Sequence, residues 1–466
     1  MIKSFDPARY CENLGDKVFL QARDTQVSFD YFLRESSAIS EKLKDKGITN
    51  GDIVLITDVD IKFYIPVLFA LWKIAAIAFP VNPRLTDQQL KTILSETGAL
   101  HIIGKTKHTI FTDQIFLSQD DLRTNVPTDN PGNFNLDPEQ PVTLVMTSGS
   151  SGKPKYALHS FKNHYYNAMG VNTFFNFCEQ DNWLLSLPLF HVGGMGIIFR
   201  CFLAGATLSL QDQKKSLTDE LLYHRPTHIS LVFTQLQRLF NTKPVIAALK
   251  KCKAIFLGGS AIPQNVLDVA EENHLNIFSG YGLTEMASTV AIRNHQIEKS
   301  NQADILKYRE VTVINDEICV KGLCLFKGYL DRPQRGLPLT DGWFYTKDKG
   351  KKTGNKISVF GRLDNMFISG GENIQPEEIE RVLLTYKNMG QAVVVPVENK
   401  EYGQRPVAFI KSYGKIKKEN LIKYLQEKLP SFMIPDQFFN WPENSEKNLK
   451  INRDGFRKLA GKLYRK

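Results

Sequence analysis

Apolar residues in this chain fall in short blocks separated by polar stretches, and the two periodicities alternate. Asp52 to Val59 reads as a strand, Ile61 to Ala76 as a buried helix and Ile77 to Val81 as a second strand. The pattern then turns amphipathic from Asp87, with Thr86 as N-cap, Gln89 in the capping-box position and Gly98 closing the helix. His101 to Ile103 restarts a strand. Val142 to Met146, Trp183 to Leu187, Ile229 to Phe233 and Ala254 to Leu257 keep the rhythm. Strands alternating with helices predict an α/β architecture, with helices covering a largely buried sheet.

The pattern changes between residues 311 and 362. Val, Ile and Phe are there interrupted by Asn315-Asp316, Asp341-Gly342 and Gly354-Asn355, which predicts short antiparallel strands. A domain boundary is expected near Gly361-Arg362-Leu363-Asp364, giving a large unit of residues 1–362 and a small one of 363–466. The small unit reads as α+β. A helix starts at Pro376 with Glu377 and Glu378 at its positive end, strands follow at Ala392 to Val397 and Val407 to Lys411, and a helix runs from about Lys418 to Leu429.

Composition narrows the class. With 466 residues, 42% of them apolar and 23% charged, this is ordinary globular material long enough for two or three domains. The charge balance, 59 − 49 = +10, is moderately basic; part of the excess is concentrated near the end, from Lys447 to Lys466, where it reads first as a solvated helix face and second as a surface that steers anionic substrates such as ATP and coenzyme A. Nothing interleaves bases with aromatic residues, so nucleic acid is not an expected partner. Six cysteines are scattered without a Cys-x-x-Cys pair, which fits reduced thiols in a cytoplasmic protein. The apolar run Phe63 to Val81 contains Lys73, Pro66 and Pro80, and so reads as a buried helix entering a strand, with no integral membrane segment. The N-terminus lacks the apolar centre of a signal peptide. The oligomeric state, a homo-oligomer included, stays open.

The richest segment for chemistry is Thr147-Ser148-Gly149-Ser150-Ser151-Gly152-Lys153-Pro154-Lys155. Glycines let backbone N–H groups approach phosphate oxygens, hydroxyls donate further bonds, and lysines add charge. It is not a Walker A loop, because only Ser150 and Ser151 separate Gly149 from Gly152 and Pro154 follows Lys153. Alone it would be a solvated turn. Further on, Gly258-Gly259-Ser260 follows a strand and can bring backbone close to a flat ring. Tyr281-Gly282-Leu283-Thr284-Glu285 sets an aromatic face, a hydroxyl and a carboxylate within five residues, which suits adenine, phosphate and magnesium. Asp348 and Arg362 are suited to ribose hydroxyls, and Lys450 is a cationic arm in a basic tail.

In this order the segments resemble the acyl-adenylate-forming superfamily of acyl-CoA ligases, adenylation domains and luciferases, over about residues 20 to 460. The resemblance is strongest to its 2-succinylbenzoate–CoA ligase branch, of menaquinone biosynthesis. It is carried by Pro188-Leu189-Phe190-His191-Val192-Gly193-Gly194, Gly280 to Thr289, Gly361 to Arg381 and Val395 to Ala408. The resemblance implies a large N-terminal domain of α/β subdomains with a β-rich subdomain, and a small mobile α+β C-terminal domain. It implies ATP, magnesium and coenzyme A as co-substrates and cofactor. By it, Thr147 to Lys153 and Thr284 hold phosphates, Glu285 binds magnesium, Tyr281 helps hold adenine, and Gly282 and Gly258 to Ser260 belong to the ATP/AMP site. Asp348 and Arg362 bind ribose, Lys450 serves adenylation, Asp364 is the hinge, and Gly370 and Gly371 flank the pantetheine arm. Two positions depart from the superfamily pattern: Lys347 stands where Thr-Gly-Asp has glycine, and Leu449 replaces the glycine before the lysine.

Succinylbenzoate carries two carboxylates, and the one that is not activated needs a cation or ordered water. Arg200, in the helix-like stretch after His191, is the candidate; an arginine at a helix end satisfied by solvent explains the same residue. Arg238 is the weaker choice, and His191 lines the pocket or gates the thiol. Leu257, Leu283 and Met286 suit an apolar acyl slot or plain core. Other readings are a ligase for another aromatic or medium-chain acid, a stand-alone adenylation domain for a carrier protein, and a catalytically dead nucleotide-binding regulator.

Overall fold

The computed structural model describes all residues except 1, 125–131, 133, 149–153, 241, 259–261, 299, 331–336, 443–451 and 465–466. Of the expected site residues, Gly149, Ser150, Ser151, Gly152, Lys153, Gly259, Ser260 and Lys450 therefore lie outside the described residues, as does Leu449; the Ser148 side chain does too.

Two large sheets share the region up to Arg362. The first orders Gly328–Tyr329, Pro154–Ser160, Pro141–Ser148, Ile77–Pro80, Ile53–Ile56, His101–Gly104 and Ile115–Ser118. The second has a parallel centre of Val18–Gln21, Thr207–Leu210, Asn182–Leu185, His228–Leu231, Ala254–Leu257 and Ile277–Leu283. It continues antiparallel through Ser288–Asn294, Ala303–Ile305, Lys356–Arg362, Phe344–Thr353, Glu317–Gly322 and Arg309–Ile314. The central strands His228–Leu231 and Ala254–Leu257 are buried throughout, as strands covered on both faces must be.

Local chemistry explains the helices. Thr86 and Gln89 form the expected capping box, and Gly98 ends that helix at φ 67°. The apolar helix is shorter than expected: it spans Ile61–Lys73, and Ala75 takes a left-handed φ of 64° before the next strand. Phe233 also differs, since it opens the helix Phe233–Leu239 instead of closing a strand. Between the two sheets the helices Phe161–Phe175 and Val192–Ala204 pack together, with Trp72, Trp183, Phe161 and Phe202 fully buried.

Beyond Arg362 a separate sheet orders Glu372–Ile374, Phe367–Ser369, Gly403–Ser412 and Met389–Asn399, with Gln437–Asn440 also on Gly403–Ser412. Its two apolar clusters, one around Ile379, Leu383 and Leu425 and one around Val407 and Phe456, draw only on residues from Phe367 onward among those described. Arg453 fastens the last helix by donating to Glu380 at 2.6 Å and to the Val394 carbonyl at 2.8 Å. The helix expected to reach Leu429 spans Lys418–Gln426.

Candidate active site

The helix Phe161–Phe175 organises the site from behind. Asn163 donates to the carbonyls of Leu323 and Leu325, and Asn167, one turn on, donates to those of Met286 and Thr289. Next along the same face is Gly170, where a Cβ would lie 2.0 Å from Arg309 Nη1. The buried Arg309 guanidinium thus lies against this helix and donates to the carbonyls of Asn167 and Thr289. One helix face therefore fixes both ends of the segment Met286 to Thr289. Asn167 does this, while Asn163 holds the Leu323 to Leu325 stretch beside it, and in both places carbonyls left unpaired would cost about 1–3 kcal/mol each.

Strand Ile277–Leu283 runs into a 3₁₀ turn, Thr284–Met286, and the chain returns as Ser288–Asn294. The pairing shifts register between Tyr281 and Gly282, and a Cβ on Gly282 would meet the Ser288 carbonyl at 2.1 Å. Glycine is obligatory there. The turn presents Glu285, whose Oε1 accepts from the Tyr329 hydroxyl at 2.5 Å, while the Thr284 carbonyl sits 2.7 Å from His159 Nε2. Burial pushes His159 down to about 4, so its ring is neutral and Nε2 donates.

Tyr281 points the other way along the strand. Its hydroxyl donates to Asp348 Oδ2 at 2.7 Å, and Arg362 Nη1 reaches Asp348 Oδ1 at 3.3 Å. Asp348 and Arg362 are direct cross-strand partners, so the sheet register itself brings them together. Arg362 also forks onto both oxygens of Asp364, at 3.0 and 2.9 Å. Burial raises the Asp348 carboxyl above its usual range against the pull of Tyr281 and Arg362, whereas at Asp364 the Arg362 bonds outweigh burial and lower it. Burial and the Asp348 charge push the Tyr281 phenol well up, keeping it a donor. Between these groups Lys347 takes φ 62°, and its N–H donates to Glu317 Oε1 at 2.7 Å. That left-handed backbone is the physical reason glycine is the easy residue at this position; lysine there costs on the order of 1 kcal/mol.

Thr147 is the penultimate residue of the strand Pro141–Ser148 and pairs with Lys155 on the neighbouring strand. Gly258 follows Ala254–Leu257 and donates its N–H to the Leu231 carbonyl at 3.1 Å. Gly370 and Gly371 form the turn between Phe367–Ser369 and Glu372–Ile374 at φ 57° and 86°, Gly370 beside the ring of Tyr402.

Arg200 departs from one of its two readings. It is not a solvated residue at a helix end: it lies inside the helix Val192–Ala204 and is 1% exposed. Its guanidinium stands over the rings of Trp183 and Phe256, 5.1 and 5.7 Å from their centroids, and Nη2 donates to Thr289 Oγ1 at 3.3 Å. Nε is buried with no hydrogen-bond partner among the described residues. Burial, reinforced by Arg309, pushes its pKa down to about 9. The guanidinium thus faces aromatic walls and a hydroxyl, and among the described residues no carboxylate pairs with it, surroundings in which a ligand carboxylate would be a strong partner. Gly196 makes the room, since a Cβ there would lie 3.2 Å from Arg200 Nη2. Arg238 is exposed on the helix Phe233–Leu239, and His191 is an exposed N-cap beside Phe190. Leu257 and Met286 are core residues of two different clusters, while Leu283 is half-buried at the edge of the second. Sequence reasoning missed Tyr329, His159, Asn163 and Asn167, whose spacing from the motifs gives no local signal.

Comparison with known proteins now bears on this geometry. Residues 8–330 match the AMP-binding enzyme family and residues 378–447 match the AMP-binding enzyme C-terminal domain, so the chain belongs to the AMP-binding enzymes. Among its relatives is the 2-succinylbenzoate–CoA ligase of Salmonella typhimurium, 33% identical over 440 residues and covering 93% of each chain. Among solved structures, an E. coli MenE variant with bound OSB-AMS matches with a TM-score of 0.86 at 30% identity over 98% of each chain. The o-succinylbenzoate coenzyme A synthetase of Bacillus subtilis in complex with ATP and magnesium ion matches with a TM-score of 0.82 at 25% identity, over 94% of this chain and 96% of that one. The chain therefore has the acyl-adenylate-forming fold.

Proposed function

We propose that this protein is an ATP-dependent ligase that activates 2-succinylbenzoate as its acyl-adenylate and passes the acyl group to coenzyme A, releasing pyrophosphate and AMP. It is an AMP-forming acid–thiol ligase, and menaquinone biosynthesis uses this reaction. The observation carrying the specificity is the buried Arg200, which no carboxylate pairs with among the described residues and which matches a substrate with two carboxylates of which only one is activated.

A carboxylate is a poor electrophile until its oxygen displaces pyrophosphate from the α-phosphorus of ATP. Arg200 and Thr289 Oγ1 hold the benzoate carboxylate, leaving the succinyl carboxylate to attack. Tyr281 offers a ring face to adenine, and Asp348 with Arg362 takes the ribose hydroxyls. Thr147 to Lys153 and Thr284 donate to the phosphates. The residues present fit magnesium: Glu285 presents one carboxylate oxygen that no described residue engages, and magnesium commonly takes one or two carboxylates with phosphate oxygens completing its shell. Bound there, magnesium would neutralise charge on the phosphates. Lys450 would stabilise charge building at the α-phosphate, an effect often worth about 10²–10³ in rate. The thiol of coenzyme A then attacks the acyl carbonyl and AMP leaves.

We take residues 1–362 and 363–466 as two domains hinged at Asp364. Their separate sheets and separate cores support this, and rotation would exchange Lys450 for Gly370 and Gly371 at the acyl group. A pyrophosphate-release assay over a panel of acids tests the reading, with coenzyme A added to score thioester. Release with 2-succinylbenzoate well above other aromatic or medium-chain acids supports it; preference for another acid overturns the specificity, and no release with any acid overturns the activity.

A further inference from the structure

Glu285 is gripped through both backbone and side chain by one short stretch, Phe326 to Tyr329. The Phe326 N–H donates to the Glu285 carbonyl at 2.8 Å, and the Tyr329 hydroxyl donates to Glu285 Oε1 at 2.5 Å. Phe326 is fully buried, and its ring meets that of Tyr329 edge-on, centroids 4.9 Å apart at 74°. Tyr329 also pairs with Ala157 on strand Pro154–Ser160. From that same strand, Lys155 Nζ stands 5.0 Å from the Tyr329 ring centroid. The phenol is thus held by packing, by a ladder and by a cation over its face before it meets the carboxylate.

A hydroxyl donated to one carboxylate oxygen fixes the rotamer and turns the second oxygen outward. A lysine over the ring strengthens that donor by drawing electron density from the phenol. Groups that orient metal ligands in this way typically change metal affinity by about 10–100-fold when removed. We propose that Tyr329 is a positioning residue that aims Glu285 and so sets the enzyme's affinity for its divalent cation. The inference rests on reading Glu285 as the carboxylate that meets the cation, and it concerns no contact between Tyr329 and substrate.

The test is Mn2+ binding to the full chain with a non-hydrolysable ATP analogue and no acid, read from the free-Mn2+ electron paramagnetic resonance signal. Magnesium dependence of pyrophosphate release is measured beside it. Tyr329→Phe keeps the ring and its contact with Phe326. It should weaken Mn2+ binding about tenfold and raise the magnesium requirement similarly, leaving the KM for the acid and the kcat at saturating magnesium within about twofold. In a Glu285→Gln background the same change should do nothing further to Mn2+ binding. If Glu285→Gln weakens Mn2+ binding but Tyr329→Phe leaves it unchanged or tighter, the positioning role is wrong and the Glu285 reading stands. If Glu285→Gln leaves Mn2+ binding unchanged, the Glu285 reading itself falls, and this inference with it. Loss of fold in Tyr329→Phe, seen as a lowered melting midpoint together with lost cation-free nucleotide binding, would also overturn the proposal, since it would make Tyr329 structural.

Discussion

Replacing Arg200 with methionine should make the ligand-free protein more stable and the enzyme much worse. The guanidinium is 1% exposed, and burial pushes its pKa down to about 9. Holding a charge in the protein interior costs on the order of 5 kcal/mol. Methionine has similar length and forfeits the Thr289 hydrogen bond and the contacts with Trp183 and Phe256, together worth about 2 kcal/mol. The net expectation is a gain of roughly 2–3 kcal/mol, read as a higher melting midpoint without ligand. The cost falls on substrate binding: kcat/KM for 2-succinylbenzoate in pyrophosphate release should drop by about 100-fold or more, the loss expected when one partner of a buried charge pair is removed. Arg200→Lys, which keeps the charge but loses the planar fork, should fall between the two. A variant with a lower melting midpoint and an unchanged KM for the acid would make Arg200 a structural residue and refute the argument.

Three further expectations follow from the same geometry. Lys450→Ala should abolish pyrophosphate release yet spare thioester formation from preformed acyl-adenylate; equal loss of both half-reactions would contradict the division of labour between conformations. Gly282→Ala should destabilise the fold by about 3 kcal/mol or more, because its Cβ would stand 2.1 Å from the Ser288 carbonyl, whereas Gly371→Ala meets no atom within 4 Å and should cost only about 1–2 kcal/mol of backbone strain. Equal melting midpoints for these two variants would contradict the close approach. His159 and His228 are buried and pushed down to about 4, so between that pH and 6.5 the unfolded chain binds protons that the folded one refuses. Their contribution is fully present above pH 6.5 and lost as the pH falls toward 4, so the melting midpoint should drop steeply over that window; a flat profile from pH 7 to 5 would be inconsistent with neutral buried rings.

Much of this was legible before any coordinates because the chemistry is packed into contiguous motifs. Tyr281, Thr284 and Glu285 sit within five residues, and the cap chemistry of Thr86, Gln89 and Gly98 is local, so sequence spacing carried the reading. What it could not show is set by long-range pairing. Asp348 and Arg362 meet because their strands are in register, and Tyr329 reaches Glu285 from 44 positions away. The Arg200 ambiguity had the same source: a helix end and a helix interior look alike in an apolar stretch, and only Trp183, Phe256 and Thr289 closing around the guanidinium decide between them. Lys347 is the reverse case, a departure from pattern that the backbone explains, since its φ of 62° is tolerated by lysine with Glu317 taking the amide.

The central claim is that one carboxylate of the acid is activated while a buried arginine reads the other. Acid-dependent exchange of pyrophosphate into ATP, comparing 2-succinylbenzoate with the same molecule lacking its ring carboxylate, tests it most directly. The account expects robust exchange with the diacid and a kcat/KM lower by about 100-fold or more for the monoacid, with that gap largely erased in Arg200→Met. Equal exchange with both acids in the unaltered enzyme would contradict it.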